Sequence, residues 1–350
     1  MAHMNNNLFQ AKSYAFELPQ DRIAQNPASP RDTSKLLVLE RKTGAIQHRQ
    51  FFEMGNFLHS GDLLVFNDTK VLAARLFGEK EESRGRVEIF LLHPLEKAPH
   101  RWEALVRPGK KLKKPTRVLL DGGVAVTVFP SSSEGGLRVV EFPEKLEMHP
   151  FLERCGVVPL PPYITESQAK DEQYQTIYAR ELGSVAAPTA GLHFTENLLA
   201  ELRQKGISLA FLTLHIGLGT FRPVQTEDIR EHLMHEEHFE IAPATIKAVE
   251  ETKKRNGRVI AVGTTAVRSL ETAGVSGTLQ PGKGKSRLFI YPGYSFRIVD
   301  GMITNFHLPQ STLLMLVSAF GGYHNVLEAY QEAVQRNYRF YSFGDAMMIL

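Results

Sequence analysis

The feature that most constrains the fold is a series of short, strand-like segments between residues 71 and 142. Apolar residues alternate or run together within each segment, and turns rich in glycine, proline and serine separate them, with no helical period between. The segments are Val71–Phe77, Arg86–Leu92, Trp102–Val106, Arg117–Asp121, Val124–Phe129 and Leu137–Phe142. Many short strands divided by turns are typical of a small barrel or sandwich, so the sequence predicts an all-β unit here.

Strands and helices alternate in the second half of the chain, which indicates an α/β domain with a parallel or mixed central sheet. The predicted strands are Ile207–Ile216, Arg258–Val262, Leu288–Tyr291 and Arg297–Thr304. The predicted helices are Glu196–Lys205, Thr226–His238, Pro243–Lys254, Thr265–Ala273, Ser311–Phe320 and Val326–Gln335. The segment 274–286, rich in glycine, serine and lysine, is predicted to be a mobile surface loop. We therefore expect an α/β domain, 4–70 and 156–350, with a β-rich domain, 71–155, inserted into it.

Composition narrows the class of protein. Of 350 residues, 43% are hydrophobic and 23% are charged, which is typical of a folded globular chain of roughly two domains. A single cysteine excludes an internal disulfide and a structural Cys₄ or Cys₂His₂ zinc site. We find neither a signal-peptide pattern nor an apolar run approaching the ~18 residues of a membrane helix. The expectation is a soluble, cytoplasmic protein.

Positive charge is concentrated in one segment, although the net charge of the whole chain is only +3. Residues 107–117 include six basic and no acidic side chains. Such a segment is either a solvated loop or a loop that contacts nucleic-acid phosphates, since Lys and Arg displace counterions from a polyanion. Composition by itself leaves both interpretations open.

The first of two glycine turns follows the predicted strand at 207–216. Gly217 and Gly219 form a Gly-x-Gly pair, and Thr220 follows directly. The third glycine of the dinucleotide-binding fingerprint is missing, because Arg222 stands in its place. The pattern fits a ligand-binding loop or a plain tight turn.

The second glycine turn follows the predicted strand at 258–262. Gly263 is followed by Thr264 and Thr265, and Arg268 lies one turn into the predicted helix. Free N–H groups at a helix start bind a carboxylate or a phosphate. An ordinary helix cap by one of the threonines explains the same residues, so this alternative also stays open.

Three histidines lie in or beside turns of small residues. His193 lies within 183–194, where small and turn-forming residues allow either a ligand or another chain segment to approach the backbone closely. His215 precedes the first glycine turn, and His307 precedes a predicted helix. Imidazoles titrate near neutral pH, which suits them to acid–base chemistry.

A further cluster, His232, His235 and Glu236, shares one face of the predicted helix 226–238. Its spacing matches neither H-E-x-x-H nor H-x-x-E-H, which favours a polar helix face over a metal site. A metal-dependent hydrolase built on these three residues is retained as an alternative function.

Taken together, in this order and spacing, these stretches resemble the S-adenosylmethionine:tRNA ribosyltransferase-isomerase family of queuosine biosynthesis. The resemblance runs nearly end to end. Its strongest blocks are Ser184–Thr195, Leu212–Val224, Val262–Glu271, Thr304–Ala319 and Arg339–Met347. The chain departs from the family at Lys113-Lys114-Pro115, where the family often has a glycine.

The resemblance implies an enzyme that moves the ribosyl unit of S-adenosylmethionine onto the aminomethyl group of a 7-deazaguanine base in tRNA. Rearrangement yields epoxyqueuosine, and adenine and methionine are released. It further implies a metal-independent, cytoplasmic monomer without a cofactor, since S-adenosylmethionine is a consumed cosubstrate. The implied architecture is a mixed-sheet α/β domain with an inserted β-barrel domain.

This reaction needs a base near the 5′ carbon beside the sulfonium, an acid for the departing adenine, and deprotonation of an amine with a pKa of about 10.4. The candidate catalytic residues are His193, His215 and His307, with Asp345 or Glu236 as the orienting carboxylate. The candidates for binding S-adenosylmethionine are Gly217, Gly219, Thr220, Gly263, Thr264, Thr265, Arg268, Asn67 and Asp68. The candidates for binding tRNA are Arg107, Lys110, Lys111, Lys113 and Lys114. A noncatalytic tRNA-binding module remains a second alternative.

Overall fold

The computed structural model describes residues 6–109, 112–131, 136–217 and 224–350. The chain divides into two compact units. The sheet unit comprises Met1–Thr69, Pro161–Glu181 and Ala187–Leu350, and the barrel unit comprises Lys70–Leu160 and Leu182–Ala186. The barrel unit begins at Lys70, one residue before the expected start at residue 71. Its main segment ends at Leu160, beyond the expected end at residue 155, and a second short segment, Leu182–Ala186, also belongs to it.

The described residues form seventeen strands and six α-helices, numbered in chain order. The strands are β1 Lys35–Leu39, β2 Ile46–Gln50, β3 Leu63–Asn67, β4 Thr69–Val71, β5 Arg75–Lys80, β6 Arg86–Leu95, β7 Ala98–Arg107, β8 Thr116–Leu120, β9 Ala125–Val128, β10 Arg138–Glu141, β11 Glu181–Ser184, β12 Ser208–Leu214, β13 Glu237–Ile241, β14 Val259–Val262, β15 Gly282–Ser286, β16 Gly301–Asn305 and β17 Ala346–Ile349. The helices are α1 Met148–Cys155, α2 Glu196–Gln204, α3 Pro243–Lys254, α4 Thr264–Ala273, α5 Thr312–Gly321 and α6 Tyr323–Gln335. None of these helices has the length and apolar character needed to cross a membrane.

The sheet unit is built on nine strands in the order β15-β13-β12-β3-β14-β16-β17-β1-β2. Strands β12, β3, β14 and β16 are parallel, and β17 is antiparallel to β16. The carboxyl edge of the sheet is defined by the strand ends Asn67, Leu214, Val262 and Asn305; the amino ends of β17 and β1 also lie there. The amino edge is the opposite one. This topology confirms the predicted mixed-sheet α/β fold.

Burial explains why the central strands form where they do. All five residues of β3 and all five of β16 are buried, as expected of strands with both faces covered. Helix α2 begins where Thr195 Oγ1 accepts a hydrogen bond from Leu198 N, and α3 begins with Pro243 in its first turn. Both starts are as predicted from the sequence.

The barrel unit is a closed six-stranded barrel in the order β10-β7-β6-β5-β8-β9, and β10 pairs with β9 to close it. Alternate side chains point inward: Trp102, Ala104 and Val106 on β7 are buried. A Cβ on Gly78 would lie 2.5 Å from Leu119 O, so only glycine permits this approach of β5 and β8. The structure confirms the predicted β-barrel.

Three local predictions are wrong. The segment predicted as a helix over Thr226–His238 instead holds a short 3₁₀ helix, Ile229–Glu231, and the start of strand β13. The glycine–lysine segment predicted as a loop contains β15, which pairs with β13, whereas Leu288–Tyr291 forms no strand. Strand β15 lies at the end of the sheet, where backbone hydrogen bonds rather than a buried face determine its structure, so no apolar alternation marks it.

Candidate active site at the carboxyl edge of the sheet

The carboxyl edge gathers polar residues that are far apart in the sequence. In α/β sheets, ligands bind outside the carboxyl ends of parallel strands. The antiparallel β17 and β1 bring the residues that precede them to the same edge. The residues at these strand ends are Ser34, Asn67, His215, Gly263, Asn305 and Asp345.

His193 ends a 3₁₀ helix, Thr189–His193, and its side chain is buried. Its ring stacks on Phe51 with a centroid distance of 4.9 Å, and its Nδ1 lies 2.8 Å from Ser34 Oγ. Its buried Nε2 forms no hydrogen bond of normal geometry within the described residues, although the Asn305 side chain lies close enough to raise the pKa of the imidazole. Burial lowers the pKa of His193 to about 4, although the nearby Asp345 carboxylate acts in the opposite direction. The imidazole is therefore neutral at pH 7.

Asn305, at the end of β16, is buried as well. Its Nδ2 donates to Tyr341 O at 2.9 Å, which leaves Oδ1 as the acceptor end of the amide. This Oδ1 is buried and accepts no hydrogen bond of normal geometry in the part of the chain that the structure describes, although the His193 imidazole lies close enough for the Asn305 side chain to raise its pKa. A buried polar atom without a partner costs about 1–3 kcal/mol, so such an atom at a strand end is a position where a ligand is expected.

Helix α4 begins at this edge without a side-chain cap. Gly263 is its N-cap residue, with φ of 91°, and no side chain accepts from the first turn there. A Cβ built on Gly263 would lie 3.7 Å from Ala190 Cβ, which places the turn beside the 3₁₀ helix that carries His193. Thr264 and Thr265 are buried and do not cap the helix. This favours the anion-binding interpretation of the turn.

Asn67 uses its whole amide within the protein. Its Nδ2 donates to Leu214 O at 3.0 Å and to Thr265 Oγ1 at 3.3 Å. Its Oδ1 accepts from Leu214 N at 3.0 Å and from Thr69 N at 3.2 Å. These four contacts fill the hydrogen-bonding capacity of an asparagine side chain, so Asn67 joins β3, β12 and α4 at the edge.

Asp68 is also engaged on both carboxylate oxygens. Oδ1 accepts from Thr213 Oγ1 at 2.7 Å, and Oδ2 pairs with Arg180 at 2.8 Å. Burial raises the pKa of Asp68, whereas Thr213 and Arg180 act against that shift. The carboxylate thereby holds the exposed Arg180 guanidinium at the edge.

His215 directly follows β12, and its Nδ1 lies 2.8 Å from Thr69 Oγ1. Burial lowers the pKa of His215, and Glu181 opposes the shift. The ring borders a cleft of about 380 Å³ whose walls include His238, Glu240 and Lys283. Of the three candidate histidines, His215 borders this cleft.

His307 follows β16 and is held at two points. Its Nε2 lies 2.7 Å from Thr304 Oγ1, and its backbone N–H donates to Tyr330 Oη at 3.0 Å. Although the residue is partly exposed, burial lowers the pKa of His307 to about 3. The helix that follows is capped by Ser311, whose Oγ accepts from Leu314 N.

Asp345 organises the chain just before β17. It accepts from Lys35 N at 3.1 Å and from Arg339 N at 2.8 Å, and it pairs with the Arg339 guanidinium at 3.1 Å. These contacts fix the starts of β1 and β17. Asp345 therefore acts on His193 through its charge, while Ser34 makes the direct contact.

Arg268 lies in the second turn of α4 and is buried. Its guanidinium forms an ion pair with the buried Glu237 and donates from Nε to Leu288 O at 3.2 Å. The structure thus places the Arg268 charge beside a carboxylate of its own chain. Only Nη2 lacks a partner within the described residues.

His232, His235 and Glu236 do not share a helical face, because the predicted helix does not form. Glu236 pairs with Lys285 and Arg287, each at 2.9 Å, and the hydrogen bond from Lys285 holds its pKa below the usual range. Among the described residues, no cluster of three His, Cys, Asp or Glu side chains suited to a metal ion occurs. The premise of the metal-site alternative is therefore wrong.

Comparison with known proteins decides the family. A family model described as "Queuosine biosynthesis protein" matches residues 11–349. The chain belongs to this family. Its S-adenosylmethionine:tRNA ribosyltransferase-isomerase relatives include the protein of Thermosynechococcus vestitus, 53% identical over 98% of this chain and 96% of that protein. The protein of Heliobacterium modesticaldum is 52% identical over 96% and 98%.

A solved structure from Thermotoga maritima, an S-adenosylmethionine tRNA ribosyltransferase, aligns with nearly the whole chain. It is 40% identical, covers 97% of this chain and 100% of its own, and has a TM-score of 0.57. The resemblance inferred from the sequence motifs is thus confirmed. The family match does not by itself assign any single residue.

For several of the residues predicted to bind S-adenosylmethionine or tRNA, the structure describes no contact that bears on binding. Gly217 is partly exposed and has open space around it, while Gly219 and Thr220 lie outside the described residues. In the barrel unit, Arg107 and Lys113 are exposed, and Lys114 pairs with Glu82 at 3.2 Å. Lys110 and Lys111 also lie outside the described residues.

Sequence reasoning missed the residues that hold the three histidines. Ser34, Thr69 and Thr304 supply hydroxyl groups to His193, His215 and His307, respectively. Asn305 supplies an amide oxygen beside His193, and its place as the last residue of an apolar strand is the signal that could have identified it. Ser34 and Thr69 carry no comparable signal, because serine and threonine are common throughout the chain.

Proposed function

We propose that this chain is an S-adenosylmethionine:tRNA ribosyltransferase-isomerase. It transfers and isomerises the ribosyl moiety of S-adenosylmethionine onto the 7-aminomethyl-7-deazaguanine base of tRNA, giving epoxyqueuosine-tRNA and releasing adenine and methionine. Family membership and near full-length similarity support this assignment. The structural observation that carries it is the buried His193 imidazole and Asn305 amide, which lie together at the carboxyl edge of the described sheet and whose Nε2 and Oδ1 atoms form no hydrogen bond of normal geometry there.

The lowered histidine pKa values suit the first proton transfer. A sulfonium acidifies the neighbouring C–H groups, so a neutral imidazole is required as a base beside the 5′ carbon. His193, His215 and His307 all have lowered pKa values and are neutral at pH 7. Once protonated, an imidazole of low pKa is a strong acid, which suits it to return the proton to the departing adenine.

His215 is our candidate for the base. Thr69 Oγ1 lies 3.4 Å from Glu181 O as well as 2.8 Å from His215 Nδ1. When the hydroxyl hydrogen points at Glu181 O, the imidazole donates from Nδ1, and Nε2 keeps its lone pair. Thr69 is then the positioning residue that sets the tautomer of His215.

The start of α4 is our candidate for the methionine carboxylate of S-adenosylmethionine. Gly263 leaves the first N–H groups without a side-chain cap, and a helix N-terminus favours a negative group. Asn67 and Thr265 hold this turn against β3 by a 3.3 Å hydrogen bond and serve the site by positioning it. Independence of metals and cofactors, a monomeric state and a cytoplasmic location stay predictions.

The deciding experiment incubates the protein with S-adenosylmethionine and tRNA carrying 7-aminomethyl-7-deazaguanine, in the presence of a chelator. Free adenine is followed by chromatography and the modified nucleoside by mass. We expect adenine release matched by a ribosyl-derived gain in mass, and no release with tRNA that carries guanine at that position. Binding of tRNA without adenine release would overturn the proposal in favour of a noncatalytic tRNA-binding module.

The basic segment 107–117 is proposed as a tRNA contact on the strength of its charge. Reversing Lys110, Lys111, Lys113 and Lys114 to Glu is expected to weaken tRNA binding and to reduce its dependence on salt. Unchanged affinity and salt dependence would identify the loop as a solvated surface.

A further inference from the structure

A second concave site, of about 340 Å³, lies in the sheet unit where β1, β2 and the end of α6 meet. We call it the β2 pocket. Its walls include Lys35, His48, Arg49, Arg336 and Tyr338, together with one acidic side chain, Glu53. Three permanently basic groups therefore converge on one cavity.

The carboxylates near the β2 pocket are already engaged. Glu53 Oε2 accepts from Gln50 N at 2.8 Å. Glu332, on α6, accepts from His48 Nε2 at 2.9 Å and pairs with Arg336 at 2.8 Å. Arg336 therefore has a counterion, whereas Glu53 keeps its negative charge, so Lys35, Arg49 and Arg336 exceed the two carboxylates by one positive charge.

Lys35 and Arg49 are fixed by neutral groups. Lys35 Nζ donates to Arg336 O at 2.9 Å and to Asn337 O at 3.1 Å, and it lies 5.1 Å from the centre of the Tyr338 ring. Arg49 donates to its neighbours His48 O, at 2.8 Å, and Gln47 Oε1, at 3.0 Å. Neither cation forms an ion pair within the described residues, so both retain their charge for a partner.

The exposed cations of the barrel unit differ from Lys35 and Arg49, which form no ion pair within the described residues. Most of those on its strands have a carboxylate partner. These pairs are Arg86–Asp121 at 2.9 Å, Arg101–Glu141 at 2.6 Å and Arg117–Glu81 at 3.1 Å. The β2 pocket is thus a place where positive charge is preorganised but not neutralised, as an anion site requires.

The β2 pocket lies at the same edge as the candidate active site. Lys35 directly follows Ser34, whose Oγ contacts His193, and Lys35 N donates to Asp345. Arg49 is the residue opposite Leu36 in the β1–β2 register, one position from the end of β2. In the strand order, β1 and β2 lie on the His193 side of the candidate active site, and we take this side as the one along which the tRNA backbone runs.

We propose that the β2 pocket binds a backbone phosphate of the substrate tRNA, through Lys35 and Arg49. A guanidinium presents a planar fork of N–H groups that matches phosphate oxygens, and an ammonium adds a point charge. This inference rests on the proposed function, because it takes tRNA as the substrate. It assigns a contact on the sheet unit, separate in sequence from the basic loop of the barrel.

The test measures binding of tRNA carrying 7-aminomethyl-7-deazaguanine, without S-adenosylmethionine, over a series of salt concentrations. Arg49→Glu is compared with Arg203→Glu, an equal change of charge at an exposed arginine in the last turn of α2. We expect Arg49→Glu to weaken binding about tenfold and to lower the slope of log K against log salt by about one. Arg203→Glu is expected to bind as the wild type does.

Equal affinity and slope for Arg49→Glu and Arg203→Glu would overturn the inference. Inorganic phosphate provides a further arm: if it raises the Tm of the wild type but not that of Arg49→Glu, while the tRNA affinities match, the pocket holds a small free anion instead. If Arg49→Glu does not fold, Arg49→Gln replaces it, with an expected loss of about threefold.

The two proposals fail in different ways. Arg49-dependent binding of tRNA without any adenine release would overturn the enzymatic proposal and leave the phosphate contact standing. Adenine release by the wild type and an unchanged KM for tRNA in Arg49→Glu would overturn the phosphate contact alone.

Discussion

At the amino edge of the nine-stranded sheet, Asp62 is buried and satisfied, whereas at the carboxyl edge His193 and Asn305 are buried and incompletely paired. Asp62 pairs with Arg258 at 2.6 Å and accepts from His59 N at 2.8 Å and from Arg258 N at 3.0 Å. Burial alone would raise the pKa of Asp62, but the hydrogen bonds from Arg258 and His59 outweigh it and lower the pKa. His193 Nε2 and Asn305 Oδ1 form no hydrogen bond of normal geometry within the described residues.

The two edges of the sheet therefore differ in what their buried polar groups contribute: stability at the amino edge and ligand binding at the carboxyl edge. A polar group that is fully paired stabilises the folded chain, because unfolding exchanges good hydrogen bonds for water. A buried group left unpaired costs free energy until a ligand satisfies it. We therefore expect substitutions at the amino edge to change the free energy of unfolding, and those at the carboxyl edge to change turnover.

The largest expected effect is on catalysis at the carboxyl edge. His193→Gln and His215→Gln each remove an imidazole while retaining a polar side chain. We expect each to lower the rate of adenine release by about 10²–10⁴, the usual contribution of an acid or base. Single-turnover assays at saturating substrate measure this. Near-normal turnover in both variants would refute the proposed acid–base roles.

The second effect is on stability at the amino edge. Asp62→Ala leaves the partly buried Arg258 without its counterion, which is expected to lower the free energy of unfolding by about 3 kcal/mol. Glu251→Ala, which removes the exposed pair with Lys247 on α3, is the control and is expected to cost about 0.5 kcal/mol. Urea unfolding measures both, and equal losses would contradict the contrast between the edges.

The third effect depends on pH. The pKa of His193 falls from an ordinary value of about 6.5 when unfolded to about 4 when folded. Between these values the unfolded chain binds more protons, so stability is complete above pH 6.5 and is lost as pH falls toward 4. The expected loss from this group is roughly 2 kcal/mol by pH 5.

Urea unfolding at pH 7 and pH 5 checks this expectation, with His193→Gln as the reference. The variant should lose less stability than the wild type over that interval. Parallel losses in the two proteins would show that His193 does not titrate as its burial implies.

The smallest effect compares two glycines with positive φ. Gly263 precedes α4 at the carboxyl edge with φ of 91°, and Gly206 follows α2 near the amino edge with φ of 78°. Alanine at either position is expected to cost about 1 kcal/mol in backbone strain, and Gly206→Ala costs more because its Cβ would clash with Ser60 Oγ. Only Gly263→Ala should raise the KM for S-adenosylmethionine, and an equal rise in Gly206→Ala would remove the distinction.

The sequence alone determined the architecture and the start of several helices. Period-two patterns between turns predicted the barrel, and the alternation after residue 207 predicted the α/β sheet. Thr195 and Pro243 marked the starts of α2 and α3 correctly. These features are local: a cap, a proline or a periodic pattern acts within a few residues, so the sequence displays it directly.

Only the tertiary structure decided the contacts at the site and the edge of the sheet. Residues 226–238 have helical spacing, yet Glu237 and His238 pair with β15, because hydrogen bonding to a distant strand outweighs a local preference. Ser34 Oγ meets His193 although 159 positions separate them. Hydrogen-bond partners and burial, which set the charge state of each histidine, come from chain segments brought together by strand order, and no local pattern encodes them.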